Sequence, residues 1–266
     1  MTLVEDIRVI RSAARTSIIS QFTAVPPWLW LIQVISVSLF QMAFFAFVAE
    51  FADNPEISVA YIALGNALQS LAYSTVYSVT NLSGIEKHVG TLQVVMASPT
   101  RIFKVFLGKS LFQIVAGLIT VTISLSYAVF IFGVDFSNVN LLALIMIILV
   151  TTFAMIGFGL MIASLGLYFR SNVLMGSLFM YLSLIFSGVN FPVSYLPSFL
   201  QPISYALPMT YGVAGLRAAA QGASIGDVSI ELLAMIMLGI VMMILGYMLF
   251  SRLERMAVNR GTLDVF

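Results

Sequence analysis

The chain has 266 residues, of which 61% are hydrophobic, only 9% are charged and none is cysteine. Its net charge is +1 and its mean hydropathy is +1.06. A soluble domain carries about 25% charged residues, so this composition predicts an integral membrane protein. The absence of cysteine excludes a disulfide, a thiolate nucleophile and a cysteine metal site.

Residues 3–18 predict an amphipathic helix that lies on the inner membrane surface. Their apolar side chains recur at i, i+3 and i+4 spacing, whereas the charged side chains occupy other faces. Pro26 and Pro27 end this helix and define an N-terminal interfacial segment, residues 1–27. The early charged residues, followed by no clear cleavage site, favour an N-terminus that is not a cleaved signal.

Six apolar stretches follow, and each is long enough to cross the ~30 Å hydrocarbon core as a helix. They are residues 28–49, 58–82, 105–133, 141–168, 173–191 and 230–251. The sequence thus predicts an all-α integral membrane protein in which residues 28–266 form one domain of six transmembrane helices.

The distribution of cations sets the predicted orientation. Six crossings with both termini in the cytoplasm leave Arg217 as the single Lys or Arg on the outer side, which agrees with the positive-inside rule. The predicted location is the cell inner membrane. The remaining cations fall on the cytoplasmic side: Arg8, Arg11, Arg15, Lys87, Arg101, Lys104, Lys109, Arg170, Arg252, Arg255 and Arg260.

The uncharged stretch 171–216 is too long for one span and contains four prolines. Two full spans there would place the C-terminal arginines outside, against the positive-inside rule. One span followed by short helices that re-enter the outer leaflet avoids this, because broken helices at membrane depth are tolerated when packed in protein. The predicted re-entrant segment is residues 192–220. Its marker residues are Phe191, Pro192, Pro197, Pro202 and Pro208.

The spans lack the side chains of an intramembrane enzyme or an ion-coupled transporter. The lone histidine, His88, is predicted in a cytoplasmic loop, and no acid lies in the middle of a span. Gly108-Lys109-Ser110 is like the end of a phosphate-binding loop, but Phe103 stands where that loop requires glycine. The sequence therefore predicts no catalytic residue, no metal and no cofactor bound by this chain.

Uncharged polar side chains recur at helical spacing on several of the spans. Two interpretations are open: hydrogen bonds between helices, or a mildly polar lining for an amphiphilic cargo. A highly charged cargo is disfavoured because no charged ring lies at mid-depth. The candidate translocation path comprises Gln33, Gln41, Asn66, Gln69, Tyr73, Tyr77, Tyr181 and Asn190.

Two blocks of sequence resemble a known family. Residues 86–99, EKHVGTLQVVMASP, are followed by basic residues and then by Gly108-Lys109. Residues 187–192, SGVNFP, open the proline-rich segment that ends at Leu216-Arg217. In this order the blocks resemble ABC transporter permeases of the type-2 exporter class over essentially the whole chain. One departure is Lys87-His88, where the family often has arginine beside the acid, and lysine lacks the planar fork for bidentate pairing.

The resemblance implies a transport subunit rather than an enzyme. It implies pairing with a second permease copy, identical or related, and with a cytoplasmic ATP-binding cassette subunit that holds ATP and Mg²⁺. The family's inner loop carries a coupling helix, here expected at about residues 87–98, whose apolar face docks into a groove on the ATPase. The candidate coupling residues are Glu86, Gly90, Thr91, Leu92, Val95, Met96, Ser98 and Pro99.

The function implied is export of a hydrophobic or amphiphilic cargo, such as a drug, antibiotic, peptide or lipid, through a space lined by the first, second and fifth spans. Two alternatives stay open: a permease for lipid-linked polysaccharide, and a membrane scaffold or channel-like protein without an ATPase. Membrane lipid is an expected partner, and nucleic acid is not.

Overall fold

The computed structural model describes residues 3–52, 54, 56–91, 94–95, 100–169 and 171–260. All regular structure within these ranges is helical. The helices are α1 Leu3–Ala24, α2 Pro27–Ala52, α3 Val59–Val89, α4 Ile102–Ser110, α5 Phe112–Phe130, α6 Leu141–Tyr168, α7 Asn172–Phe186, a 3₁₀ turn Val193–Tyr195, α8 Gln201–Tyr205, α9 Pro208–Ala220 and α10 Ser229–Arg260.

Four stretches of the described chain are long and apolar enough to cross a bilayer: Pro27–Phe51, Ile102–Phe130, Leu141–Tyr168 and Ser229–Met256. The prediction of an all-helical membrane protein is confirmed. The helix α3 has 31 residues but is less apolar, and α7 is apolar but has only 15 residues. The count of six spans therefore stays a prediction.

The helix α3 lies at the centre of the fold, where it packs against α2, α5, α6, α7 and α9. Residues 62–72 of α3 are all buried, and many contribute to the main hydrophobic core. Because its surface faces protein rather than lipid, α3 carries polar side chains without exposing them to hydrocarbon. This position explains its lower hydropathy.

Contacts along α3 fix the direction of its neighbours. The helix α6 runs parallel to it, since Gly159 lies against Val76 and Val79 near its middle and the Ser83 hydroxyl is 3.5 Å from the Ala163 carbonyl oxygen. By the same comparison α5 and α7 run antiparallel to α3. Asn172, at the start of α7, lies against Gly84, whereas Ser183 bonds to Gln69 of α3.

The fold has two ends of different charge. We call one the acidic end, where α2, α5 and α9 finish and α3, α6 and α10 begin. Its charged residues include Glu50, Glu56, Asp135 and Asp227. We call the opposite end basic. Its cations include Arg101, Lys104, Lys109, Arg252 and Arg255.

The helix α9 lies beside the first half of α6 and runs antiparallel to it. Gly212 lies against Thr151, Gly215 against Ile147, and the Ala219 carbonyl accepts a hydrogen bond of 3.0 Å from the Asn140 N–H. Pro208 is therefore the deepest point of this segment, more than ten residues inside α6. At 1.5 Å per residue, α9 starts about 16 Å below the beginning of α6.

The helices α6 and α10 run parallel and meet at glycines. A Cβ atom on Gly157 would lie 2.6 Å from the Gly239 carbonyl oxygen, and one on Gly246 would lie 3.1 Å from the Met161 nitrogen. Small residues allow such close backbone approach between membrane helices. The sequence left open whether Gly157, Phe158 and Gly159 contact the same chain or another copy. In the structure, Gly157 packs against α10 and Gly159 packs against α3 of the same chain.

We expect Gly157→Ala to destabilise the protein and Gly176→Ala to leave it nearly unchanged. Alanine at 157 forces α6 and α10 apart because the nearest atom belongs to the backbone of α10. A Cβ on Gly176 would meet its nearest atom at 3.5 Å, and alanine gains about 1 kcal/mol in a helix. Thermal denaturation of both variants in detergent checks this, and an equal loss in both would contradict it.

Candidate functional site: a polar cavity and the basic end

A cavity of about 610 Å³ lies between α2 and α3, with smaller contributions from α1, α5, α6 and the start of α7. This volume is in the range of small-molecule sites. Its lining extends from Ser70, near the middle of α3, to Gly84 and Asn172 at the basic end. The predicted first and second spans thus provide most of the lining, whereas the predicted fifth span contributes only its first residues, Asn172 and Val173.

The described lining of the cavity combines apolar side chains with uncharged polar ones, and none of these described residues carries a charge. Four residues of the candidate path belong to it: Gln33 and Gln41 of α2, and Tyr73 and Tyr77 of α3. The two tyrosine rings are stacked, with centroids 5.3 Å apart. Serine, threonine and amide side chains provide most of the other polar groups: Gln21, Ser38, Ser70, Ser74, Ser78, Asn81, Thr120, Ser171 and Asn172.

Three other residues of the candidate path form hydrogen bonds between helices instead. The Asn66 amide donates to Asn190 Oδ1 at 2.9 Å, and its oxygen accepts from Gln41 Nε2 at 3.2 Å. Gln69 accepts from the Ser183 hydroxyl at 3.1 Å. Some polar residues thus line the cavity and others form hydrogen bonds within the fold, and Gln41 does both.

The remaining candidate, Tyr181, lies on the outer surface of α7. Its side chain is 65% exposed and is not part of the cavity lining. The helical periodicity of α7 places it away from Ser183, which points into the core. Tyr181 therefore lies outside the cavity lining, although it is within electrostatic range of Tyr73, a residue of that lining.

Arg217 is the functional candidate that the sequence did not identify. It is partly buried, and its guanidinium donates hydrogen bonds to the carbonyls of Tyr61, Gly188 and Val189 at 2.8–3.3 Å. The group also lies 3.3 Å above the Tyr61 ring. Gly65 makes room, since a Cβ there would be 2.7 Å from Arg217 Nη2. Arg217 thus joins α9, α3 and the turn after α7.

The predicted re-entrant markers occupy turns and helix starts. Pro192 precedes the 3₁₀ turn, the Pro197 carbonyl accepts from the Leu200 N–H, and Pro202 and Pro208 begin α8 and α9. Proline suits these positions because it has no N–H to donate. Phe191 is partly buried beside Pro192.

A small cluster connects this segment to the α2–α3 connection at the acidic end. The Tyr195 hydroxyl donates to the Glu56 carboxylate at 2.6 Å and lies 3.4 Å from the Asn54 amide nitrogen. The hydrogen bond to Glu56 raises the pKa of the Tyr195 phenol above its ordinary value. The acidic end is therefore joined across two connecting segments.

At the basic end, Glu86 lies at a junction between helices. Its carboxylate forms an ion pair with Lys109 of α4 and accepts a hydrogen bond of 2.6 Å from the Thr91 hydroxyl. Both charged side chains are largely buried, at 12% and 10% exposure. Glu86 therefore pairs with Lys109, which lies 23 residues further along the chain on a different helix.

The predicted limits of the coupling segment change at its start. Residues 87–89 continue α3, and Gly90 ends that helix with a φ of +76°, a conformation that favours glycine. His88 therefore lies on a helix rather than in a loop. Val95 is partly buried. Leu92, Met96, Ser98 and Pro99 lie outside the described residues.

The Gly108-Lys109 pair has a packing role at the same end. A Cβ on Gly108 would lie 2.6 Å from the Ile10 carbonyl oxygen, so glycine allows α1 to rest on α4. An ion pair between Asp6 and Lys104 joins the same two helices. The resemblance to a phosphate-binding loop is thus explained by packing and pairing within the chain.

These features define a multi-pass helical membrane protein with a cavity between its helices that the described residues line with apolar and uncharged polar groups. Residues 19–220, most of the chain, match the family model described as ABC-2 type transporter. The chain belongs to the ABC-2 type transporter family and is a transmembrane permease, a kind of protein that serves as a transport subunit.

Two curated relatives agree with this assignment. The chain is similar to the "Probable multidrug ABC transporter permease YbhR" of Escherichia coli strain K12, with 24% identity over 159 residues. The protein of the same name from Escherichia coli O157:H7 matches equally. The match covers 59% of this chain and 43% of each relative, so it spans less than half of the relatives' length.

Proposed function

We propose that this protein is the permease subunit of an ATP-driven exporter in the cell inner membrane. Two permease copies pair, and each contacts a separate cytoplasmic ATPase subunit that binds ATP and Mg²⁺. The acidic end faces outward, and the basic end, with both termini, faces the cytoplasm, as the positive-inside rule requires. Membership of the ABC-2 family supports an ATPase partner and a dimer in general terms.

The cavity is the observation that carries the proposal. Its lining reaches the basic end at Gly84 and Asn172 and stops at mid-depth near Ser70. Beyond that depth, the hydrogen bonds of Asn66 to Gln41 and Asn190 join α2, α3 and the turn after α7. A cavity that extends from the basic end to mid-depth, with hydrogen-bonded polar side chains beyond it, suits an exporter that loads its cargo from the cytoplasm.

The helix register supports six crossings despite the short α7. From Asn172 to Asn190 the chain passes along α3 from the level of Gly84 to that of Asn66. The eighteen residues of α3 between these two levels correspond to about 27 Å, which approaches the ~30 Å hydrocarbon core. The depth of Pro208 beside α6 likewise supports a re-entrant segment that dips into the outer leaflet.

The contacts at the basic end support a route for coupling. Movement of the segment after Gly90 reaches α3 through the Thr91–Glu86 hydrogen bond and reaches α4 through Glu86 and Lys109. The helix α3 provides much of the cavity wall. An ATPase that binds one position of this segment more tightly would therefore shift the population of cavity conformations.

The cavity also supports an uncharged or amphiphilic cargo of drug size. Hydroxyl, amide and aromatic groups offer hydrogen bonds and stacking surfaces, and the lining residues within the described ranges carry no charge that could pair with a polyanion. The relatives are named for multidrug transport, which agrees with a hydrophobic or amphiphilic small molecule.

We expect Ser74→Phe to abolish transport while Thr122→Phe does not. Ser74 lines the cavity, so a phenyl ring fills part of its volume, whereas Thr122 is exposed on α5. The assay measures ATP-dependent uptake of a fluorescent amphiphilic dye into inside-out vesicles that contain the permease and its co-purified ATPase. ATPase co-purification with both variants is the control for assembly.

Two results would contradict the proposal. Full transport by Ser74→Phe would exclude the cavity as the path. If no ATP hydrolase co-purifies with the native chain, the proposal of ATP-driven export is contradicted.

A further inference from the structure

The exposed face of α1 carries a stripe of arginines. Arg8, Arg11 and Arg15 are spaced by three and four residues, so they lie on one side of the helix, and all three are exposed. Neither ion pair between described residues involves them. The stripe thus presents three guanidinium groups outward.

The opposite face of α1 is fixed against α4. Ala13 and Ser17 are buried there, Gly108 allows close approach to the Ile10 carbonyl, and Asp6 pairs with Lys104. These contacts prevent α1 from rotating about its axis. The contacts of α1 with α4 therefore hold the arginine stripe on the side of α1 that faces away from the protein.

The position of α1 brings the stripe to the membrane boundary. Only two residues separate α1 from α2, a helix that is long and apolar enough to span the bilayer and whose first turn exposes Trp28. Exposed isoleucines flank the arginines on the same side: Ile7, Ile18 and Ile19. A helix with apolar and cationic residues side by side suits the depth where acyl chains meet phosphate groups.

We infer that α1 is a binding surface for anionic phospholipid headgroups, and that Arg8, Arg11 and Arg15 hold their phosphates. Guanidinium groups bind phosphate oxygens in pairs of parallel hydrogen bonds. The surface excludes neutral headgroups by charge, because a zwitterionic lipid brings a compensating cation. Each arginine at a membrane surface contributes about fivefold to the affinity for anionic lipid.

Native mass spectrometry of the full chain in detergent tests the inference. The protein is mixed with equal amounts of phosphatidylglycerol and phosphatidylcholine, and the lipids retained on it are counted. We expect preferential retention of phosphatidylglycerol, a loss of about tenfold or more in R8Q/R11Q, and retention in R8K/R11K. The matched control R252Q/R255Q removes two exposed charges from α10 at the same end and keeps the preference.

Equal retention of the two lipids by the native chain would overturn the inference. So would an unchanged preference in R8Q/R11Q, or a loss of the same size in the α10 control. If R8Q/R11Q instead weakens binding of the purified ATPase subunit and leaves lipid retention intact, the stripe is a protein-docking surface and the inference fails. The lipid measurement uses neither ATP nor cargo, so a failure of the proposed export function leaves it standing.

Discussion

Arg217→Ala is expected to destabilise the folded protein by about 3 kcal/mol or more. The Val189 carbonyl would lose its donor from Arg217, whereas the Gly188 carbonyl would keep the Tyr61 hydroxyl at 3.0 Å. Removal of the guanidinium also opens a void above the Tyr61 ring and beside Gly65. The junction of α3, α9 and the turn after α7 loses its common partner.

Two other variants show whether the stability that Arg217 provides comes from its charge or from the geometry of its hydrogen bonds. Arg217→Lys retains the charge, but one ammonium cannot reach carbonyls on both α3 and the turn after α7, so we expect an intermediate loss. Arg252→Ala removes an exposed cation and should change stability by less than about 0.5 kcal/mol. Unfolding in mixed micelles by SDS titration measures all three. Equal stability of Arg217→Ala and Arg252→Ala would show that the contacts of Arg217 with α3 and with the turn after α7 do not stabilise the fold.

Hydropathy and charge in the sequence predict the helical segments well because lipid imposes length and apolarity on them. The prediction fails where protein replaces lipid as the environment. The helix α3 is longer than predicted, extending to Val89, because its polar residues face other helices rather than lipid. Likewise α1 extends beyond residue 18 to Ala24, where Phe22 packs edge-to-face against Trp30 of α2 and Phe112 of α5.

Long-range partners are the part of the site that sequence does not predict. Periodicity placed Tyr73 and Asn66 on the same polar stripe, but only tertiary packing assigns Tyr73 to the cavity and Asn66 to the hydrogen bond with Asn190. Arg217 was counted as an outer cation because its single charge follows an uncharged stretch. That isolation is a usable signal, since a lone charge at membrane depth requires a buried partner.

Several cations at the basic end also join the helices of that end to one another. Two of its cations, Lys104 and Lys109, are engaged in ion pairs that join α4 to α1 and to α3. Arg101 bonds to Tyr247 and so connects the start of α4 to α10. These cations thus hold together the helices next to the segment after Gly90.

The ion pair between Glu86 and Lys109 provides the second large effect. We expect Glu86→Lys to lower stability by about 3–5 kcal/mol, because it leaves two cations facing each other in a largely buried site. Lys109→Glu should cost a similar amount for the opposite reason. The double swap E86K/K109E restores opposite charges across the same gap and should recover much of the loss.

A double-mutant cycle on unfolding free energy measures this pair, and recovery in the double swap requires a coupling energy larger than the loss in either single variant. The swap also separates stability from coupling to an ATPase. A lysine at position 86 pairs with glutamate at 109 but cannot accept the hydrogen bond from the Thr91 hydroxyl, so only the 3.4 Å contact of that hydroxyl with the residue 86 carbonyl still connects α3 to the segment after Gly90. We therefore expect the swapped protein to fold and to hydrolyse ATP with its partner while exporting poorly. Additive losses in the single and double variants would show that the two side chains act independently, and normal export by the swap would remove Glu86 from the coupling route.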